Sequence, residues 1–521
     1  MEKKRKLKIF LDFLICIVLV VLIIVVLFDI QSKQKKAKEG QSLAESSLIL
    51  YEGPSSLKDA AQEDLKNTSE TSRDISLMHC TDTQITVNGY DCYVYDTNVN
   101  HTRKWVDNYM PPMSRTPIAY FDFEGMAKIE VIVPEIELDQ VKISPAAYQI
   151  EPEIDKENHK VSFYIEQPDT YTITFNNAPE RAVHIFANPI EDDLPDFDSE
   201  DVIYIGPGEW DIESIMPEDG QTIYLAGGAV VHGIINGNYV KDVTIMGRGI
   251  LDGSSFSGWQ GKEAYIPLKF DHCKNIAIKD VIVLNSNAWV CQAFDSQDGV
   301  IDGIKIISSR PNGDGITLQS CKNYEVSNCF VRSWDDSLVV KNYAGSTENI
   351  TFSNMQLWTD LAQSMEVGYE TNKGNEEGAY ISQVIFKDIT VLNNFHKPVI
   401  SIHNGDDASV DNITFENIIV ENAQMGSGDG EEMPYLIDFN IAQSSNWSTT
   451  RERGTISNIT VNGLTVLAGK ECSSRISGYD AEHKVSNVVI SNMTVLGKKI
   501  TSLEDGKIEV DAETAENIVL K

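Results

Sequence analysis

The chain has 521 residues, 23% of them charged and 8% aromatic, which suits an ordered globular protein and excludes a disordered one. The formal charge is −35, and residues 41–521 alone carry 34 Lys and Arg against 74 Asp and Glu, a balance of −40. That balance argues against nucleic acid and anionic membrane surfaces as partners, and weakly against a polyanionic substrate.

The length implies two or three domains, or one long repeat domain with an accessory. Residues 9–28, IFLDFLICIVLVVLIIVVLF, contain a single acid, Asp12, and follow five Lys and Arg in MEKKRKLK. Twenty such residues span a bilayer, so 1–30 reads as a cytoplasmic tip and an uncleaved transmembrane signal anchor, with the bulk outside the cell. Residues 31–75 are rich in Lys, Glu, Ser, Gln and Ala without sustained periodicity and read as a flexible tether.

From 76 to 195 the pattern alternates. Ile85–Gly89, Tyr93–Tyr95, Ile129–Val133, Val161–Ile165 and Tyr171–Phe175 read as short strands, together a small β-sandwich. It is expected to cap the exposed first rung of the domain that follows, with carbohydrate binding as the alternative. Cys80 and Cys92 are near enough in sequence to bridge, whereas Cys273, Cys291, Cys321 and Cys329 read as small core residues. No His/Cys cluster has metal-ligand spacing, so neither metal nor cofactor is expected.

Residues 196–521 repeat a unit of Asn/Asp-apolar-x-apolar-x-Asn/Asp/Gly-apolar-x-apolar. Copies begin at Asp242, Asn275, Asp298, Asn323, Asn349, Gln383, Asn412, Asn458 and Asn487, at intervals of 23 to 46 residues. A fixed strand motif with variable spacers is a solenoid signature. Alternation within each unit puts one face of each strand inward, and the class is all-β: a parallel β-helix whose loops build a cleft on one side.

Within the repeat, three segments share a register: Gly313-Asp314-Gly315-Ile316, Asp335-Asp336-Ser337-Leu338 and Ala362-Gln363-Ser364-Met365. Stacked on rungs about 4.8 Å apart, Asp314, Asp336 and Gln363 form one column with Asp335 beside it. Three carboxylates so close repel one another, so at least one should hold its proton unusually tightly. Two acids in different protonation states are what glycosidic hydrolysis requires.

Asn312-Gly-Asp314 followed one coil later by Trp334-Asp-Asp336 resembles the polygalacturonases of glycoside hydrolase family 28, over roughly residues 200–500. The resemblance implies a right-handed β-helix and an inverting hydrolase of an extracellular polysaccharide. Asp335 would protonate the leaving oxygen, and Asp314 and Asp336 would deprotonate the attacking water. Two motifs depart from the family. Its Gly-His-Gly is replaced by Ala362-Gln363-Ser364, and its Arg-Ile-Lys, which holds a galacturonate carboxylate, by Ser401-Ile402-His403. A sandwich ending in His184-Ile-Phe-Ala-Asn-Pro189 before such rungs is also similar to the dextranases of family 49, which cleave uncharged α-glucans. The substrate expected is therefore a polysaccharide or oligosaccharide, with a neutral glycan favoured over pectin.

Further substrate contacts are expected from Asn312, Trp334 (a ring for a sugar face), Lys341, Gln363, Glu366 (also a reserve acid) and His403, with Tyr369 and Glu370 where the cleft continues. Asp406 and Asp407 lie in ordinary turn chemistry. A non-catalytic carbohydrate-binding adhesin would have no need of Asp335. A polysaccharide lyase would need Ca²⁺ and a strong base on these rungs, where Lys341 alone stands.

Overall fold

The computed structural model describes residues 46–60, 77–100, 114–176, 178–256, 264–424, 435–444 and 446–521. The predicted membrane segment at 9–28 and most of the predicted tether lie outside these residues. Among the described residues no helix is long and apolar enough to cross a membrane.

Residues 46–60, assigned to the tether from sequence, are docked. Ser47–Leu50 adds an antiparallel strand to Ser114–Glu124, with Leu48 and Leu50 packed on the sandwich core. Tyr51 stacks on Tyr120 at 5.5 Å and donates to Asp122 Oδ2 at 2.9 Å. The accessory domain thus begins before residue 76.

That domain is a seven-stranded sheet facing a five-stranded one. All five strands expected from alternation are present, and Ala127–Ile132 alternates strictly between buried and half-buried positions. Ser114–Glu124 and Ala178–Asn188 escape an alternation rule because both of their faces are covered. Ala119, Phe121 and Phe123 point into the sandwich; Ile118 and Tyr120 point the other way, into a second core. Cys80 and Cys92 are buried but unbridged: the Cys80 thiol turns to Asp82, whereas that of Cys92 lies near the carbonyl of Tyr120.

The second core corrects the expected cap. The sandwich lies along the flank of the β-helix rather than over its end. Ile118, Tyr120 and Phe186 meet Val230, Ile250, Ile282, Leu284, Ile307, Phe330, Trp358 and Leu392 from successive coils. Those coils carry apolar side chains on the outer face as well as the inner one, and burying an apolar face is what drives the contact.

From Val202 onward every coil pairs with the next in parallel, as far as Leu520. Inside, Phe352, Phe386 and Phe415 stack at 4.9 and 5.0 Å, one per coil. The nine repeat starts all turn out to be left-handed residues, with φ between 55° and 59°. Asn and Asp tolerate that conformation better than other side chains. Their amides also bond along the stack: Asn349 Nδ2 to Asn323 Oδ1 at 2.8 Å, and Asn487 Nδ2 to Asn458 Oδ1 at 3.1 Å. Asn349→Ala is expected to cost about 1–2 kcal/mol, and Asn349→Gly less, because glycine keeps the turn and loses only the amide bond. Urea unfolding followed by circular dichroism measures both; equal midpoints for wild type and the Ala variant would refute a stabilising ladder.

Candidate active site

Ile316, Leu338 and Met365 are register partners on three successive rungs. Counting back two residues brings Asp314, Asp336 and Gln363 to one level. Gly315 N donates to Asp336 O at 2.8 Å and Ser337 N to Gln363 O at 2.9 Å, so the turns carrying the acids are hydrogen-bonded like the strands they lead into. Gly315 has no Cβ for a steric reason: one placed there would lie 2.5 Å from Ser337 O.

Asp335 is the half-buried member, whereas its neighbours in the turn are enclosed. Its carboxylate accepts the backbone amides of Asn312 and Asp336, each at 3.1 Å. Asn312 therefore acts on the site through its main chain, held in a left-handed turn at φ 57°. Asp314 and Asp336 are buried. Asp314 accepts Trp289 Nε1 at 3.0 Å and lies 3.7 Å from Lys341 Nζ. Burial, aided by the charges of Asp335 and Glu370, pushes Asp314 up to about 7 despite Lys341. Burial and the charges of Asp335, Asp314 and Glu366 push Asp336 well above the usual carboxylate range.

Behind these turns runs a row of buried hydroxyls. Ser333 Oγ donates to Asp335 O at 2.7 Å and meets Ser337 Oγ at 2.8 Å; Ser337 continues to Thr359, Thr359 to Ser364, and Ser364 accepts from Asn394. The acid turns therefore rest on a hydrogen-bonded support rather than on apolar packing, which fixes their orientation.

Lys341 sits between Asp314 and Glu370, 3.3 Å from the latter. Glu370 also accepts from Tyr343 OH at 2.9 Å and lies 3.7 Å from Lys373. On the following rungs Glu366, Ser401, Asp438 and Arg475 are register partners in one column. His403 Nδ1 meets Glu366 at 2.9 Å and its Nε2 meets Asp438 at 3.0 Å. Arg475 donates two hydrogen bonds to Asp438, at 2.9 and 2.8 Å, with its guanidinium over the Tyr435 ring. Burial opposes a charge on His403, but the two carboxylates outweigh it and raise the imidazole to about 9.

Several expectations are corrected here. Trp334 is fully buried against Leu361 and offers no face to a sugar. Gln363 is buried, and its backbone amide, at 2.9 Å from Asp336 Oδ1, is what serves the site. His403 and Glu366 are enclosed and bonded to each other rather than open to a ligand, with Tyr369 stacked on the imidazole at 4.3 Å. In each case a flanking residue of the right chemistry sits on the inner side of a coil or is already satisfied by its neighbour. Asp406 accepts the amides of Thr449 and Thr450, consistent with turn chemistry. Trp289, Tyr343, Asp438 and Arg475 were not anticipated. Asp438 and Arg475 lie on strands outside the nine recognised copies, and only the register with Glu366 reveals them.

The sequence model of glycosyl hydrolases family 28 matches residues 225–511, which include every acid of this candidate site. The chain is 27% identical over 203 residues to a probable polygalacturonase from Vitis vinifera, covering 36% of this chain and 40% of the relative. It is 25% identical over 280 residues to a polygalacturonase from Juniperus ashei, covering 50% and 51%. It thus spans about half or less of the length of these curated relatives. In structure it is similar to Dex49A from Penicillium minioluteum, with a TM-score of 0.50 at 14% identity, covering 91% of this chain and 98% of the other. That likeness is one of fold. With more than half of its residues matched by the family model, the chain belongs to glycosyl hydrolases family 28.

Proposed function

We propose that this protein hydrolyses glycosidic bonds of a neutral extracellular polysaccharide with inversion at the anomeric carbon. The observation that carries the reading is the cluster of Asp314, Asp335 and Asp336 on two adjacent turns, in which burial and mutual repulsion keep a proton resident near neutral pH. Asp335, the half-buried member, passes a proton to the leaving oxygen as the glycosidic C–O bond breaks. Asp314, once deprotonated as pH rises past about 7, takes a proton from the water that adds to the opposite face, and Asp336 orients that water.

A neutral sugar follows from the cations. Lys341 is matched by Asp314 and Glu370, Lys373 by Glu370, His403 by Glu366 and Asp438, and Arg475 by Asp438. These positive charges are already answered within the protein, and a chain of uronates would meet the remaining carboxylates instead. Residues 9–28 would hold this domain at the outer face of the cell membrane.

Reducing-end release by the full-length protein on dextran, pullulan and polygalacturonate tests the reading. Release from a neutral glucan is expected. Release from polygalacturonate alone would refute the charge argument while leaving the acids in place.

A further inference from the structure

We infer that Tyr239, His272, Phe294 and Tyr343 form a glycan-binding row that leads from the acid cluster toward the N-terminal end of the β-helix. The inference rests on the hydrolase reading above and concerns how the same site grips a long chain.

The register places the row. Asp271, Phe294, Gln319 and Lys341 are partners on four successive rungs, so Phe294 lies in the column of Lys341, two rungs earlier. Tyr239 and His272 are the turn residues that close the two preceding strands, with Tyr239 N on Asp271 O and His272 N on Phe294 O. The rings touch in sequence: Tyr239 on His272 at 4.6 Å and 13°, His272 on Phe294 at 5.7 Å, and Phe294 on Tyr343 at 6.1 Å. Tyr343 then donates to Glu370, which holds Lys341 beside Asp314. The row therefore ends at the acid cluster.

Packing does not account for it. Tyr239 is 73% exposed, so its ring contributes little to any core. It also occupies a left-handed position, φ 56°, of the kind that Asn and Asp fill along most of this solenoid. A tyrosine there gives up the better turn residue and leaves an aromatic face in water. Pyranose rings present C–H faces that stack on such surfaces. Polar partners for sugar hydroxyls flank the rings: Gln292, Gln319, and the Lys269–Asp271 and His272–Asp295 pairs. The carboxylates among them favour an uncharged sugar.

Native gel electrophoresis in dextran, pullulan or polygalacturonate tests this on the full-length Asp335→Asn protein, which leaves the polymer intact. Retardation by a neutral glucan is expected. Adding Tyr239→Ala should weaken it about 2- to 10-fold, the loss of one aromatic stacking contact. Tyr90→Ala, which removes a similarly exposed tyrosine from the sandwich, should change nothing. The row is refuted if Tyr239→Ala leaves migration unchanged in all three gels, whether or not the parent is retarded, or if Tyr90→Ala has an equal effect. Loss of the acid reading would appear separately, as cleavage that survives Asp335→Asn.

Discussion

Asp335→Asn is expected to lower kcat on a natural glycan about 10²- to 10⁴-fold, the usual contribution of a positioned general acid. The same variant should recover to within about tenfold of wild type on an aryl glycoside whose phenolate leaves without protonation. Asp336→Asn should be impaired on both substrates, because a better leaving group does nothing for the attacking water. The pair of substrates separates the two roles, which a simple loss of activity cannot. Rescue of Asp336→Asn but not Asp335→Asn would reverse the assignment.

The electrostatics add a pH signature. Asp314, assigned to the attacking water, is pushed up to about 7, so it becomes a base only as pH rises through that range. kcat/KM should therefore fall on the acid side, as pH drops through an apparent pKa of about 7. Lys341 pulls Asp314 downward, so Lys341→Met removes that pull and should move the acid limb to higher pH. An unmoved limb would mean that Lys341 serves the fold alone.

The repeat was legible because a β-helix writes its turns into the sequence. The nine repeat starts are nine left-handed residues, and the same in-register counting places Asp314 level with Asp336 from the sequence alone. Side-chain direction was not legible. Trp334 and Asp335 are neighbours in one turn, yet one ring is sealed in and the other side chain is half-buried. His403 looked like a substrate contact because its partner Asp438 lies 35 residues away on a strand that lacks the repeat motif. The flank under the sandwich was hidden for a related reason: strands apolar on both faces carry no period to read.

That flank holds the second large effect. Arg332 and Asp360 are both fully buried, with Arg332 Nε 3.1 Å from Asp360 Oδ2 and the guanidinium 4.5 Å from the centre of the Trp358 ring. Arg332 NH1 also meets His184 Nε2 of the sandwich at 3.1 Å. A guanidinium only donates, so Nε2 must accept, the imidazole is neutral, and Nδ1–H donates to Thr172 Oγ1 at 2.8 Å. Burial and the charge of Arg332 hold His184 well below its usual range, in agreement with that tautomer. Asp360 N in turn donates to Ser333 O at 2.9 Å, so the coil bearing Asp335 leans on this ion pair. Asp360→Ala strands a buried cation and is expected to cost about 3–5 kcal/mol, whereas Arg332→Met with Asp360→Leu should recover most of that by removing both charges. Denaturant midpoints for the two variants measure the difference. If the double variant is no more stable than the single one, the cost lies in lost hydrogen bonds to His184 and Trp358 rather than in an unpaired charge, and the sandwich is held to the acid-bearing coils by polar geometry.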